Sequence, residues 1–339
     1  MTIAGAIVCF GELLIRLSPP DRRLIVQSGS MNIEVGGAEA NVAAALASLG
    51  ANSRMISAVP DNPLGRKARA AIAATNADVR HIHSTAHGRM GLYFFEQGAG
   101  SRPSTVTYDR AGSAFSRSEP ADFEFDTALN GAALLHLSGI TPALGPKGVD
   151  LVRAAIRAAK AASVPLSFDG NYRAQLWESW PSDPASIMRE ILESATILIG
   201  NHRDISLVLD QEFKGDGPER RRAAAEAAFA AFPHLEVISS TARQVVTSDH
   251  HRISARIDRR SSEYQTPDID VTGIIDRIGT GDAFAAGIVH GWVNNVDDER
   301  CANRALAMSA LKHSLPGDLC LLSLRDIDSF QSSGHDVKR

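Results

Sequence analysis

Residues 274–291 read IIDRIGTGDAFAAGIVHG, which places two glycines and a carboxylate at the start of an apolar helix. The N-terminus of a helix presents unpaired backbone N–H groups and attracts anions. Glycine also lets a ligand approach the backbone closely. Gly279, Thr280 and Gly281 therefore predict a site for a phosphate or a developing oxyanion. Asp282 has two interpretations, because aspartate is a favoured N-cap residue as well as a catalytic carboxylate.

The composition of the 339 residues is that of an ordinary globular protein, with 44% hydrophobic and 22% charged residues. The formal net charge of -4 gives no general attraction to nucleic acid. Three separated cysteines without a C-x-x-C pair fit a reducing compartment and argue against a disulfide framework or a zinc site. Glu12 and Arg16 interrupt the N-terminal apolar stretch, which no basic region precedes. We expect a cytoplasmic protein without a signal peptide, a membrane span or a nucleic-acid partner.

Short apolar runs alternate with alanine-rich segments of helical length. Strands are predicted at 6–10, 134–138, 164–168, 196–199 and 235–239, and helices at 38–49, 63–74, 147–162, 184–193 and 218–232. Hydrophobicity is continuous within these strands, which is typical of a parallel sheet covered by helices on both faces. The pattern predicts a doubly wound α/β fold, in which ligands bind beyond the carboxyl ends of the strands.

Two polar segments, 13–35 and 90–113, interrupt the alternation and contain extended stretches such as MGLYFFEQG and STVTYDRAG. Strand-rich insertions in an α/β core usually form a small sheet or lid over the active site. We therefore expect one domain over residues 1–339, with a lid built from these two segments.

Candidate ligand-binding residues lie at the ends of several predicted elements. Gly36, Gly37 and Asn41 in EVGGAEAN lie at the start of the predicted helix 38–49, whereas Asp169, Asn171 and Arg173 in FDGNYRAQLW and Asn201 and Asp204 in IGNHRD follow predicted strands. A glycine-pair turn with an incidental asparagine explains the first group equally well. The spacing of Asn201 and Asp204 suits a hydrated Mg²⁺ with oxygen ligands. Because such groups recur at the ends of successive strands, we expect them to share one ligand site.

Together these motifs resemble the ribokinase-type (PfkB) carbohydrate kinases, from about residue 7 to residue 324. The resemblance rests on GGAEANVAAALASLG and on DRIGTGDAFAAG, the most specific signature of the family. Within the family the chain most resembles 2-keto-3-deoxygluconate kinases, through FGELLIRLSPPDRRLIVQSGSMNIEVGGAEAN, GSRPSTVTYDRAGSAF, GITPALG and DGNYRAQLW. It implies a ribokinase-like fold: a mostly parallel sheet, helices on both faces and a small β-sheet lid.

The resemblance implies ATP- and Mg²⁺-dependent phosphorylation of a sugar acid, 2-keto-3-deoxy-D-gluconate, to its 6-phosphate. Asp282 would be the general base, and the backbone amides of Gly279, Thr280 and Gly281 would form the anion hole. The helix dipole would then stabilise the phosphate charge and keep Asp282 ionised. This role makes capping alone a weaker explanation of Asp282.

The resemblance also assigns substrate contacts. They are Gly36, Gly37, Asn41, Tyr93, Tyr108, Arg110, Asn171 and Arg173. A sugar acid carries a carboxylate that an arginine fork binds well, which points to Arg110 and Arg173. Either arginine can instead form a surface ion pair, which contributes little.

The nucleotide site departs from the family pattern. Many relatives have Lys-x-Gly-x-x-Gly where this chain reads VISSTARQVVTSDHH. The resemblance assigns nucleotide contacts to Asn201, Ser240, Thr241, Arg243, Gly279 and Gly281. The N-x-x-E motif of the family appears as Asn201 and Asp204, and the shorter aspartate would reach Mg²⁺ through water.

Two other functions stay open: a ribokinase-type kinase for a neutral ketose or another aldonic acid, and a non-catalytic sugar-binding regulator. The family resemblance also implies a homodimer that pairs through the lids. His81, His83, His87, His250 and His251 lack the cysteine or acidic partners of a metal site. The basic tripeptide of ERRRAAAEAAFAAF is expected to be a solvated helix surface rather than a nucleic-acid contact.

Overall fold

Two β-sheets and the helices around them make up residues 5–215 and 217–332, which a computed structural model describes. The strands are β1 (Ala6–Phe10), β2 (Leu14–Ser18), β3 (Asn32–Gly36), β4 (Ser53–Pro60), β5 (Ile82–Thr85), β6 (Gly91–Glu96), β7 (Thr105–Asp109), β8 (Ala132–Ser138), β9 (Leu166–Asp169), β10 (Ile197–Ile199), β11 (Val237–Thr247), β12 (His250–Asp258), β13 (Glu263–Gln265) and β14 (Ile269–Thr272). The helices are α1 (Ala38–Ser48), α2 (Pro63–Ala73), α3 (Ala114–Arg117), α4 (Phe125–Leu129), α5 (Ile140–Ala143), α6 (Pro146–Ala161), α7 (Ala174–Trp177), α8 (Pro184–Leu192), α9 (His202–Leu209), α10 (Gly217–Ala231), α11 (Thr280–Val293), α12 (Asp298–Lys312) and α13 (Leu324–Ser332).

The large sheet has the strand order β13-β12-β11-β10-β9-β8-β1-β4-β5, and β14 also pairs with β12. All pairs from β11 to β5 are parallel, whereas β12 runs antiparallel to β11, β13 and β14. The predicted doubly wound, mostly parallel sheet is confirmed.

Strand β1 shows that both faces of this sheet are buried. Ile7 and Cys9 pack in a core cluster with α1, α11 and α12. Val8 and Phe10 point to the opposite face and join a cluster with α6, α8 and α10. Alternate residues therefore bury against different helices, which explains why the strand is apolar throughout.

A separate small sheet has the strand order β3-β2-β6-β7. Its strands lie within residues 14–36 and 91–109, where the two polar segments were predicted to form a small sheet. Leu14, Tyr93 and Phe95 form a buried cluster on this sheet, against which Ile278 packs. The small sheet thus contacts the loop that leads into α11, and its role as a lid stays a prediction.

The predicted helices agree with α1, α2, α6, α8 and α10 to within one residue at each end. The predicted strand 235–239 is too short, because β11 continues to Thr247 as a hairpin with β12. Residues 241–247 of β11 are mostly exposed, so continuous hydrophobicity could not reveal them. The same criterion missed β4, which begins with Ser53 and Arg54. None of the described helices has the length and apolar character needed to cross a bilayer.

Candidate active site

A cavity of about 920 Å³ lies at the carboxyl ends of β9, β10 and β11, where the N-terminus of α11 and the small sheet face it. This is where ligands bind in doubly wound sheets. All but one of the predicted site residues line it: Gly37, Asn41, Tyr93, Tyr108, Arg110, Asn171, Arg173, Asn201, Asp204, Ser240, Thr241, Arg243, Gly279, Thr280, Gly281 and Asp282. The exception is Gly36. The structure therefore brings the predicted set together, while the role of each residue stays a prediction.

The loop before α11 presents backbone N–H groups to this cavity. Gly279 is the N-cap residue, with a φ of 80° that favours glycine. The first i to i−4 hydrogen bond runs from the N–H of Ala283 to the carbonyl of Gly279 at 2.8 Å. The N–H groups of Gly281 and Asp282 precede that bond, so they can donate to an anion. Because Gly279 is the cap, the interpretation of Asp282 as the N-cap residue is wrong.

Asp282 is held by a side chain from the opposite helix. Asn41 donates its amide hydrogen to Oδ2 of Asp282 at 2.6 Å. Burial raises the pKa of Asp282 to about 7, while Asn41 and Arg173 oppose the shift and Asp318 and Glu39 add to it. Protein atoms surround the carboxyl group, yet part of it stays open to the cavity. Desolvation thus opposes the ionisation of Asp282 that the helix dipole favours, and the role of the dipole stays a prediction.

Besides Asp318, two more carboxylates lie in the cavity wall, Asp169 at the end of β9 and Asp204 in the first turn of α9. Burial raises the pKa of Asp169 well above its usual value, and the charges of Asp282 and Asp204 add to that shift. Asp204 also accepts the N–H of Asn201 at 2.8 Å and so completes a capping box. A cation would relieve this crowding of negative charge.

Within the described residues no three His, Cys, Asp or Glu side chains form a group that can hold a metal ion. Such a pair of carboxylates still suits Mg²⁺, which usually keeps several waters and binds through one or two carboxylates and the phosphates of a substrate. Asn171, whose N–H bonds Oδ1 of Asp169 at 3.1 Å, fixes one of these carboxylates.

Arginines without an ion pair in the described structure dominate the rest of the wall. They are Arg173, Arg203, Arg220, Arg221, Arg243 and Arg277. Burial and the positive charges of Arg277 and Arg173 lower the pKa of Arg243. Nε of Arg220 and Nη1 of Arg221 are buried and have no hydrogen-bond partner among residues 5–215 and 217–332. This surplus of positive charge fits a polyanion such as a nucleotide triphosphate.

The two arginines predicted to bind a carboxylate differ in their contacts. Arg110 is buried, its Nε donates to Oε2 of Glu12 at 2.7 Å, and its Nη2 lies 2.7 Å from the same oxygen. The ion-pair alternative thus holds for Arg110, although the pair is buried rather than on the surface. Arg173 is exposed in the cavity and donates only to the neighbouring carbonyl of Tyr172, at 3.1 Å. Of these two arginines, Arg173 is therefore the one whose guanidinium remains available to a ligand.

Steric contacts explain why residues 36 and 37 are both glycine. A Cβ on Gly36 would lie 2.0 Å from Oδ2 of Asp318, and one on Gly37 would lie 2.2 Å from the carbonyl oxygen of Glu12. Gly37 also has a φ of 136°. Gly36 therefore packs behind the cavity wall rather than in it. Oδ1 of Asn41, by contrast, is buried without a partner and can accept a hydroxyl.

Some residues of the wall were missed from the sequence. Arg277 lies inside the DRIGTGD motif and could have been found there. Arg220 and Arg221 line the cavity, so the prediction of a solvated surface for the ERRR run is wrong for these two. Arg222 of the same run does pair with Glu226, at 2.8 Å. Only the position of α10 beside the cavity distinguishes the three.

The free backbone amides at the start of α11 and the unpaired arginines of the described cavity wall suit a phosphorylated ligand. The profile of the pfkB family carbohydrate kinases matches residues 5–319, and the chain belongs to that family. The resemblance predicted from the two glycine motifs is thereby confirmed.

Individual relatives match along almost the whole chain. The 2-dehydro-3-deoxygalactonokinase of Haloferax volcanii is 32% identical over 332 residues, which cover 98% of each chain. The 2-dehydro-3-deoxygluconokinase of Bacillus subtilis is 26% identical, over 97% of this chain and 96% of its own. The crystal structure of 2-dehydro-3-deoxygluconokinase from Thermotoga maritima has a TM-score of 0.93 at 34% identity, covering 98% of this chain and 99% of that one. These similarities confirm the ribokinase-like fold.

Proposed function

We propose that this protein phosphorylates the terminal hydroxyl of a 2-keto-3-deoxy sugar acid, with ATP as the donor and Mg²⁺ as the cofactor. The observation that carries the proposal is the position of Asp282, a carboxyl that Asn41 orients beside the free backbone amides at the start of α11. Burial raises the pKa of this carboxyl to about 7. A general base works best when its pKa lies near the working pH. The kinases of Haloferax, Bacillus and Thermotoga named above carry the names of such sugar acids.

In the proposed reaction the sugar hydroxyl lies between Asp282 and the γ-phosphate. Asp282 accepts the hydroxyl proton as the oxygen attacks phosphorus, and Asn41 keeps the carboxyl group aimed. The N–H groups of Gly281 and Asp282 stabilise negative charge on the transferred group. Positioning and charge stabilisation supply most of the rate in phosphoryl transfer.

The unpaired arginines of the described wall would bind the triphosphate, among them Arg277 in the loop before α11 and Arg243 on β11. Ser240 and Thr241 on β11 would contact the nucleotide in place of the family's Lys-x-Gly-x-x-Gly. Asp169 and Asp204 would hold Mg²⁺ through water. Bound Mg²⁺ would neutralise phosphate charge and lower the repulsion that raises the pKa of Asp169.

The sugar carboxylate would bind Arg173, whose guanidinium lacks an ion pair in the described structure and faces the cavity. The hydroxyls would contact Asn41, Tyr108 and the nearby backbone of Gly37. Two epimers compete for the assignment. The Bacillus and Thermotoga relatives carry the gluconate name, whereas the Haloferax relative, at 32% identity, carries the galactonate name.

ADP release is the test. Purified protein with ATP and Mg²⁺ is offered 2-keto-3-deoxygluconate, 2-keto-3-deoxygalactonate, fructose, ribose and tagatose in turn. We expect the highest kcat/KM with one of the two acids. Preferred turnover of a neutral sugar would support the ketose kinase instead, and no ADP release with any of them would support the non-catalytic regulator.

We further propose that the small sheet acts as a lid and that two copies pair through it. Val26 and Ile33, in and beside this sheet, are exposed apolar side chains and are available for such a contact. Light scattering that finds only a monomer at working concentration would contradict the dimer. A cytoplasmic location is consistent with the three cysteines, which are free and buried.

A further inference from the structure

Lys312, the last residue of α12, is a fully buried lysine behind the loop that begins α11. Its side chain is 0% exposed, and Nζ donates to the carbonyl of Leu315 at 3.0 Å. Lysine is almost never fully buried unless it is paired. A physical reason for this ammonium must therefore lie in its surroundings.

The segment 312–318 is wrapped around the loop. The carbonyl of His313 accepts the N–H of Asp276 at 3.1 Å, and the N–H of Gly317 donates to Oδ2 of Asp276 at 3.1 Å. A Cβ on Gly279 would lie only 3.4 Å from Cε of Lys312. The lysine stem thus packs directly against the N-cap of α11.

Three buried charged side chains lie beside the loop and Lys312. Arg16 contacts Oδ2 of Asp276 at 2.7 Å and Oδ1 of Asp318 at 3.2 Å. Tyr93 from the small sheet donates to the other oxygen of Asp318 at 2.5 Å. Among these three side chains, two carboxylates and one guanidinium leave one negative charge. Burial lowers the pKa of Lys312, while the charges of Asp276 and Asp318 oppose that shift and favour its ammonium form.

We propose that Lys312 is a positioning residue for phosphoryl transfer, whose buried ammonium cancels the negative charge behind the anion hole and fixes the 276–279 loop. An uncompensated carboxylate there would oppose the negative charge that gathers on the transferred phosphoryl group. Lys312 lies outside the cavity wall, so it acts through the loop and its field rather than by contact with substrate. The inference rests on the proposed kinase function.

Lys312→Met tests it, because methionine keeps an unbranched apolar stem and loses the charge. We expect kcat to fall about 10- to 100-fold, less than the loss from a direct oxyanion donor, with KM values within about twofold. The thermal midpoint should stay near that of the wild type, because an apolar replacement of a buried charge is often neutral. Lys67→Met, an exposed lysine on α2, is the matched control and should keep wild-type kcat.

Lys312→Ala supplies the second measurement, since it opens a space beside the carbonyl of Leu315. Ammonium or methylammonium chloride should restore part of its kcat, and sodium chloride at equal ionic strength should not. Wild-type kcat in Lys312→Met would overturn the inference and leave only packing. No restoration by ammonium, or equal restoration by sodium, would also count against the charge. If Asp282→Asn is inactive in the same assay, such results leave the proposed function standing; if Asp282→Asn is fully active, the proposed mechanism itself fails.

Discussion

Asp282→Asn should remove catalysis and at the same time stabilise the fold above neutral pH. Burial raises the pKa of this carboxyl from 3.8 to about 7. Each pKa unit corresponds to about 1.36 kcal/mol, so the shift amounts to at most about 4 kcal/mol. Because part of the carboxyl group faces the cavity, we expect about 1–3 kcal/mol after solvent screening.

The sign follows from linkage. Below pH 3.8 the carboxyl is protonated in both the folded and the unfolded chain, and it does not affect stability. Between pH 3.8 and about 7 the unfolded chain releases the proton while the folded chain keeps it, so the free energy of unfolding falls. Above about pH 7 the loss is complete. An asparagine has no proton to release and escapes this loss.

The thermal midpoint of Asp282→Asn should therefore exceed that of the wild type at pH 8 and equal it at about pH 3, below the unfolded pKa of 3.8. Its kcat should be about 10²–10⁴-fold lower, the usual contribution of a general base. Wild-type kcat/KM should rise with pH through about 7, and the variant should lack that rise. Asp150→Asn, an exposed carboxylate on α6, is the control. A wild-type kcat in Asp282→Asn would contradict the role of Asp282 as general base. An acid limb near pH 4 in the wild-type profile of kcat/KM against pH would contradict its raised pKa.

Substitutions at Arg173, Arg110 and the two glycines of the loop separate roles within the cavity. Arg173→Ala should lower kcat/KM for the sugar acid about ten- to a hundredfold, mostly through KM, and barely change kcat/KM for a neutral sugar. Arg173→Lys should retain part of the kcat/KM that Arg173→Ala loses. Equal losses of kcat/KM on both substrates would contradict carboxylate binding. Arg110→Ala leaves Glu12 buried and unpaired, so the free energy of unfolding in urea should fall by about 3–5 kcal/mol; an unchanged midpoint would contradict it. Gly279→Ala should lose most of its kcat, because the new Cβ would lie 2.0 Å from a backbone oxygen, whereas Gly281→Ala meets nothing within 4 Å and should lose far less. Similar kcat values for the two glycine variants would argue against a rigid loop.

The parallel core could be predicted from the sequence because its signal is local. Strand 6–10 is recognised by its continuous hydrophobicity and the alanine-rich helices by their length, and the observed bounds agree closely with the predicted ones. The hairpin of β11 and β12 gives no such signal, since its exposed half is stabilised by a partner strand rather than by a core. Long-range pairing of that kind is visible only in the folded chain.

The site likewise contains residues that a local motif predicts and contacts that only the folded chain shows. Gly279, Gly281 and Asp282 sit in one contiguous motif, so their neighbourhood was predictable. The pairing of Arg110 with Glu12 joins residues 98 positions apart, and no spacing rule reveals it. The raised pKa of Asp282 could not be predicted from the sequence either, because it depends on how far the fold removes the carboxyl group from water.

The position of the transferred phosphate tests the central claim most directly. The protein is incubated with ATP, Mg²⁺ and 2-keto-3-deoxygluconate, and the product is examined by phosphorus and carbon NMR. We expect a phosphate ester on C6, with one ADP released per ester formed, and about 10²–10⁴-fold slower formation of both products with Asp282→Asn. An ester at another carbon, or ADP release without any ester, would contradict the claim that Asp282 activates the terminal hydroxyl.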